Sequence, residues 1–224
     1  MAQKDHFILT IFFIVLFLCI TCLSSILLLI KKHIKQKELT KNFLFKEEVI
    51  SKIKTSLNQK YLIKENLYFK GKKKNIQNIN LLITESFIIF VEILSLTGII
   101  TGDSVSEKFY FNDNKKPHKK KIIKNFILEN QNNVNYLLNK LNKEILYFSL
   151  FVISDETEIQ IQQNTLNSNI HFIKYSKIED FFKNIDEQEI QPTELINENN
   201  LEELLNLFKY KNTNHNILLK RKQK

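Results

Sequence analysis

For twenty-four positions, residues 7–30, the chain carries no charge, reading FILTIFFIVLFLCITCLSSILLLI. As an α-helix at 1.5 Å per residue this run would be about 36 Å long, enough to cross a hydrocarbon layer of roughly 30 Å with some tilt. Residues 7–30 are therefore expected to form one uncleaved transmembrane helix. No A-x-A pattern follows it to mark a signal-peptide cleavage site, and neither Cys19 nor Cys22 follows the small residues of a lipoprotein anchor. Lys31, Lys32, Lys35, Lys37 and Lys41 crowd its C-terminal side, whereas only Lys4, beside Asp5, precedes it. The positive-inside rule then predicts a single-pass protein of the cell membrane with its C-terminal body in the cytoplasm. Both cysteines lie inside the run, so the body has none for a disulfide, which suits a reducing compartment.

The whole chain is basic, with 33 Lys and Arg against 24 Asp and Glu, but Arg221 is the only arginine. Abundant Lys, Asn and Ile beside 3 Gly, 2 Pro and no Trp follow the codon bias of an AT-rich genome, so the charge by itself says little about nucleic acid. The same counts exclude collagen-like, Pro-rich and Gly/Ser-linker architectures. No P-loop, dinucleotide glycine fingerprint or G-x-S-x-G element is present. His6, His33, His118, His171 and His215 pair with neither cysteine nor each other, so there is no zinc motif.

From residue 42 onward the pattern is mixed α and β. Phe43, Ile50, Ile53 and Leu57 fall on one helical face, with Glu47 and Glu48 near the expected start, where the helix dipole favours carboxylates. Strands are expected over residues 61–69, 79–84, 87–94 and 108–111, with Thr84, Glu85 and Ser86 as a tight turn between the second and third. A helix is expected over 122–141, with Val134, Leu137, Leu138 and Leu141 on one face. Residues 145–153 are apolar apart from Ser149, as for a strand covered on both faces. A strand over 170–175 and a short helix over 178–182 follow; Pro192 can open a last helix carrying Leu201, Leu204, Leu205 and Phe208, before a basic tail.

Residues 79–102, INLLITESFIIFVEILSLTGIITG, resemble the nuclease-related domain (NERD) family, whose pattern runs I-D-H, an apolar strand, a turn, a strand ending in E-x-K, then G-x-I-x-G. In that alignment Glu92 falls on the family's glutamate, Leu94 on its lysine, and Gly98 and Gly102 on its glycines, and Asn80 falls on its aspartate if the strand is one residue shorter. NFILENQNNVNYLL, residues 125–138, is similar to the family's N-P-I-x-Q-N-x-x-H-I-x-x-L: Asn125, Ile127, Asn130 and Leu137 match, whereas Phe126, Glu129 and Asn133 replace proline, glutamine and histidine. The resemblance implies an α/β fold with a restriction-endonuclease-like α-β-β-β-α-β core, here preceded by the transmembrane helix. The expected domains are 7–30, the transmembrane helix; 31–42, a basic juxtamembrane segment; 43–184, the NERD-like domain; and 185–224, a C-terminal helix and basic tail.

In the family an aspartate and the glutamate of E-x-K hold Mg²⁺, and the lysine helps to ready the attacking hydroxide. That chemistry needs carboxylate oxygens for a hard cation and positive charge for the developing phosphorane. Glu92, Asn80 and Leu94 thus read as vestigial catalytic positions, an acid left beside an amide and a hydrocarbon. The expected function is a membrane-anchored, catalytically degenerate module that binds nucleic acid or a protein, a pseudoenzyme with no small-molecule cofactor. Two alternatives stand beside it. One is an active nuclease, with Mg²⁺ as cofactor, whose site has migrated to Glu92 with Glu47, Glu48 or Glu129; the other is a membrane-tethered adaptor that docks a partner through the helix around Leu201–Phe208. Glu92 itself reads either as a retained metal ligand or as a leftover carboxylate paired with a lysine or facing water. For nucleic acid the candidate contacts are Lys72, Lys73, Lys74, Lys119, Lys120 and Lys121, with Tyr68, Phe69, Phe109 and Tyr110 as stacking rings if they are not core.

Overall fold

The computed structural model describes residues 2–57, 60–70, 76–114, 120–141, 144–162, 168–187 and 195–208, and within these the side chains of all but 2–19, 69–70 and 76–78. The chain divides into two compact units, Met1–Glu47 and Glu48–Lys224. One helix, α1 (Ala2–Ser56), makes up the first unit and opens the second. Glu47 and Glu48 consequently lie far inside a helix and not in its first turn, which corrects the helix start expected near Phe43.

The transmembrane expectation is also corrected. Among the described residues no helix is long and apolar enough to cross a membrane. The single-pass topology, the membrane as a partner, and the cell-membrane location with a cytoplasmic body were all derived from that span, and are withdrawn with it.

The second unit is α/β, built on two sheets. The first has the order β1-β2-β3-β7-β9, comprising β1 (Leu62–Lys70), β2 (Ile76–Ile83), β3 (Ile88–Leu94), β7 (Tyr147–Ile153) and β9 (Ile170–Lys174). The second has the order β6-β5-β4-β8, comprising β4 (Gly98–Asp103), β5 (Lys108–Asp113), β6 (Lys120–Lys124) and β8 (Glu158–Gln162). Helices α2 (Phe126–Leu141), α3 (Ile178–Glu187) and α4 (Glu198–Asn206) complete it. Helix, three antiparallel strands, helix and a strand parallel to the third roughly match the order expected of a restriction-endonuclease-like core, with β4, β5 and β6 intervening between the third strand and α2.

The β2–β3 turn needs neither Gly nor Asn because Thr84 supplies the chemistry. Its N–H donates to the Phe87 carbonyl at 3.0 Å, and its Oγ1 accepts from the N–H groups of Ser86 and Phe87 at 3.2 and 3.0 Å. That turn sets the hairpin register, pairing Ile83 with Ile88 and Asn80 with Val91. β7 lies between two parallel neighbours, β3 and β9, which explains its apolar run. On one face of the first sheet, α2 and α4 close a cluster of Leu81, Ile88, Phe90, Val134, Leu137 and Leu204. On the other, Tyr61 meets the rings of Phe87 and Phe182 edge-on, and Lys52 near the end of α1 pairs with Glu179 of α3 at 3.5 Å. The second sheet covers a separate cluster containing Ile100, Phe109, Phe111, Phe126 and Phe151. Ile122 belongs to β6, so the helix expected from residue 122 starts at Phe126 instead.

Candidate active site

Strand periodicity sends Ile88, Phe90, Glu92 and Leu94 to one face of β3, towards α2. Phe90 belongs to the cluster under α2 and α4, and Leu94 packs against the cluster under the second sheet. Glu92 stands between them, half-buried. Ser149, opposite Phe90 in the β3–β7 register, faces the same way and is 1% exposed. Its Oγ–H donates to Oδ1 of Asn130 on α2 at 2.6 Å, and Nδ2–H of Asn130, itself buried, donates to Oε2 of Glu92 at 3.4 Å. The short hydroxyl bond holds the carboxamide oxygen, so the amide presents its N–H side to the acid. A carboxylate can only accept, and the arrangement suits it.

This chain of three polar groups lies between two apolar clusters. Burying an amide and a hydroxyl costs free energy that their mutual hydrogen bond only offsets, whereas aliphatic side chains there would add burial without that cost. Polar groups retained against such a gradient are a mark of a site.

The structure separates the residues that the sequence grouped. Asn80 pairs with Val91, the neighbour of Glu92 in sequence, and so points to the opposite face of the sheet. There its Oδ1 accepts the N–H of Asn66 at 2.9 Å, fastening the bulge in β1 where Asn66 has φ +51°. Leu94 shares the face of Glu92 but is part of the apolar packing. Glu129 precedes Asn130 on α2 and is half-buried. Glu47 and Glu48 are exposed. Lys72, Lys73, Lys74 and Lys119 lie outside the described residues. Lys120 and Lys121 are exposed on β6; Lys121 pairs with Asp113 at 3.7 Å, and the Lys120 ammonium sits 4.3 Å from the Tyr110 ring centroid. Phe109 is core, Tyr110 is exposed, and the side chain of Phe69 is not described.

Other motif positions turn out to be architectural. Asn125 caps α2: its Oδ1 accepts the Leu128 N–H at 2.9 Å, and its Nδ2 donates to the carbonyls of Ser104 and Ser106 at 2.8 and 2.6 Å, tying the β4–β5 loop to the helix start. Gly98 and Gly102 bracket β4 with φ of +151° and +156°. A Cβ at Gly98 would strike the Asn112 backbone oxygen, and one at Gly102 would lie 2.6 Å from the Phe109 ring. Sequence reasoning assigned no role to Ser149 or to Asn130. The available signal was a single hydroxyl in an otherwise apolar buried strand, because a buried polar group says more than an exposed apolar one.

Among the described residues no three His, Cys, Asp or Glu side chains cluster as a metal site. Mg²⁺ asks for less than that, since it commonly takes one or two carboxylates and completes its shell with water and substrate phosphate. Glu92 and Glu129 are of the right donor type for such binding.

Residues 41–154, just over half of the chain, match the family model of the nuclease-related domain. No curated protein matches the chain. With a nuclease-related match and no membrane span among the described residues, the expectation of a membrane-anchored, degenerate binding module is corrected.

Proposed function

The chain belongs to the nuclease-related domain family, and on that footing we propose that it is a divalent-cation-dependent nuclease whose centre has shifted towards α2. Glu92 keeps the acid of β3, and Glu129 supplies the second carboxylate in place of the family's aspartate. The observation that carries this reading is the Ser149–Asn130–Glu92 chain, which turns an amide N–H towards the acid of β3 and brings the first turns of α2 over that strand. Mg²⁺, when bound, would supply Lewis-acid charge for phosphodiester hydrolysis. Glu92 would hold it, Asn130 would orient Glu92, and the apolar clusters on either side would limit water. Leu94 offers no ammonium to ready the nucleophile, so slow turnover is expected.

The test is cleavage of single- and double-stranded DNA and RNA by the full chain with Mg²⁺ or Mn²⁺. Cleavage is expected, with loss in Glu92→Gln and in Glu129→Gln and retention in Glu47→Gln. Cleavage that survives Glu92→Gln, or none above background with either metal, would sink the proposal.

A further inference from the structure

The outer face of the second sheet carries an arrangement that edge protection alone does not explain. β5 alternates, with Phe109 and Phe111 buried and Lys108 and Tyr110 exposed, so Tyr110 points away from the apolar cluster. Tyr110 is 44% exposed and its cross-strand partner Ile122 is 64% exposed. Around this pair lie three lysines. Lys108 stands directly opposite Lys124, and Lys120, one row along opposite Asn112, holds its ammonium 4.3 Å from the Tyr110 ring centroid. Lysines on β6 are ordinary protection for an edge strand, but β5 is an inner strand and gains nothing of that kind from Lys108. Like charges directly opposite repel, and Tyr110, one row along and paired with Ile122, still leaves 44% of its surface open to solvent.

We propose that this β5–β6 face is a binding platform for single-stranded nucleic acid, with Tyr110 stacking on a base and Lys108, Lys120 and Lys124 meeting the phosphates. Charge complementarity selects the occupant: three cations round one ring suit a polyanion with π-faces, whereas of the acidic residues on the sheet's outer face Asp103, on the neighbouring β4, accepts the Val105 N–H at 3.0 Å and Glu158, on the far strand β8, accepts from the Gln160 amide at 2.6 Å. A stacked base gains more than the exposed cation–π contact it would displace. Lys121, already paired with Asp113, takes no part. The inference names the substrate form of the nuclease proposed above and rests on that reading for its biological sense, but binding is measured apart from cleavage.

The experiment is fluorescence anisotropy of a labelled oligothymidylate and of a duplex of the same length, with full-length Glu92→Gln in EDTA so that cleavage cannot intervene. The single strand should bind more tightly. Tyr110→Thr, which keeps strand propensity, should weaken it about five- to a hundredfold, and Tyr110→Phe should stay within about twofold. Lys108→Gln with Lys124→Gln should flatten the slope of log K against log salt by about 1.4. Unchanged affinity in Tyr110→Thr, or a preference for duplex, overturns the platform. Binding that follows this pattern without any cleavage by the wild-type chain supports the platform and removes the nuclease. Glu92-dependent cleavage of single strands with binding indifferent to Tyr110 removes the platform and leaves the nuclease standing.

Discussion

The Ser149–Asn130–Glu92 chain can be tested by removing it in two steps. Ser149→Ala deletes a buried hydroxyl and leaves the Asn130 Oδ1 without its 2.6 Å donor, at a cost of about 1–3 kcal/mol. Asn130→Leu, nearly isosteric, leaves the Ser149 hydroxyl stranded in the same dry setting, at a similar cost of about 1–3 kcal/mol. The bond to Glu92 is long at 3.4 Å and the acid is half-buried, so its loss adds little. In the double variant both partners become apolar, and the penalty should shrink to about 0–1.5 kcal/mol. The two single costs sum to about 2–6 kcal/mol, so the coupling in favour of the double variant is about 0.5–6 kcal/mol and centres near 3, the upper end of what residues in direct contact show. Urea unfolding with an unchanged slope reads it directly, and each kcal/mol should also move Tm by about 2–4 °C. The double variant should fold close to normally yet lose cleavage, since Glu92 loses its orienting amide. Additivity of the two single variants within about 0.5 kcal/mol would show that the three groups are no unit, and full activity in the double variant would show that the chain serves nothing chemical.

Two further outcomes are expected. Gly98→Ala and Gly102→Ala should each destabilise by about 2–4 kcal/mol in urea unfolding, Gly98 more, because a backbone oxygen cannot swing aside as the Phe109 ring can. His171 lies between the rings of Phe148 and Phe181, and burial lowers its pKa below 6.5, so the unfolded chain binds the proton more readily. Stability should therefore fall as pH drops through 6.5 towards the lower folded value, and His171→Phe should flatten that part of the pH profile of urea midpoints.

The first sheet could be read directly from the chain because β2, β3 and β7 are apolar runs bounded by polar turns. The second sheet was harder to see for reasons specific to each strand. β6 reads KKIIK, where edge charges hide any alternation, and β4 reads GIITGD, which looked like a glycine motif more than a strand. β8, EIQIQ, does alternate, and period-two counting would have found it. Asn80 was matched to a catalytic position because sequence order does not fix register, and a slip of one residue turns a side chain through the sheet. Only the Thr84 turn decides that Asn80 meets Val91. Glu92 was legible as a lone acid in an apolar strand, but its partner Asn130 lies 38 residues away and becomes visible only once α2 is packed.

The family match stops at residue 154, but the cluster beneath α2 is sealed by Ile196, Leu204 and Phe208, with the Ile196 N–H bonded to the Glu85 carbonyl at 2.7 Å. During synthesis from the N-terminus, the oily underside of the sheet must wait for that final latch. At about 5–20 residues per second, the 54 residues from 154 to 208 take about 3–10 seconds to emerge. Throughout that interval the nascent domain presents a sticky, unfinished surface, so its safe maturation depends on whatever shields it at the ribosome exit.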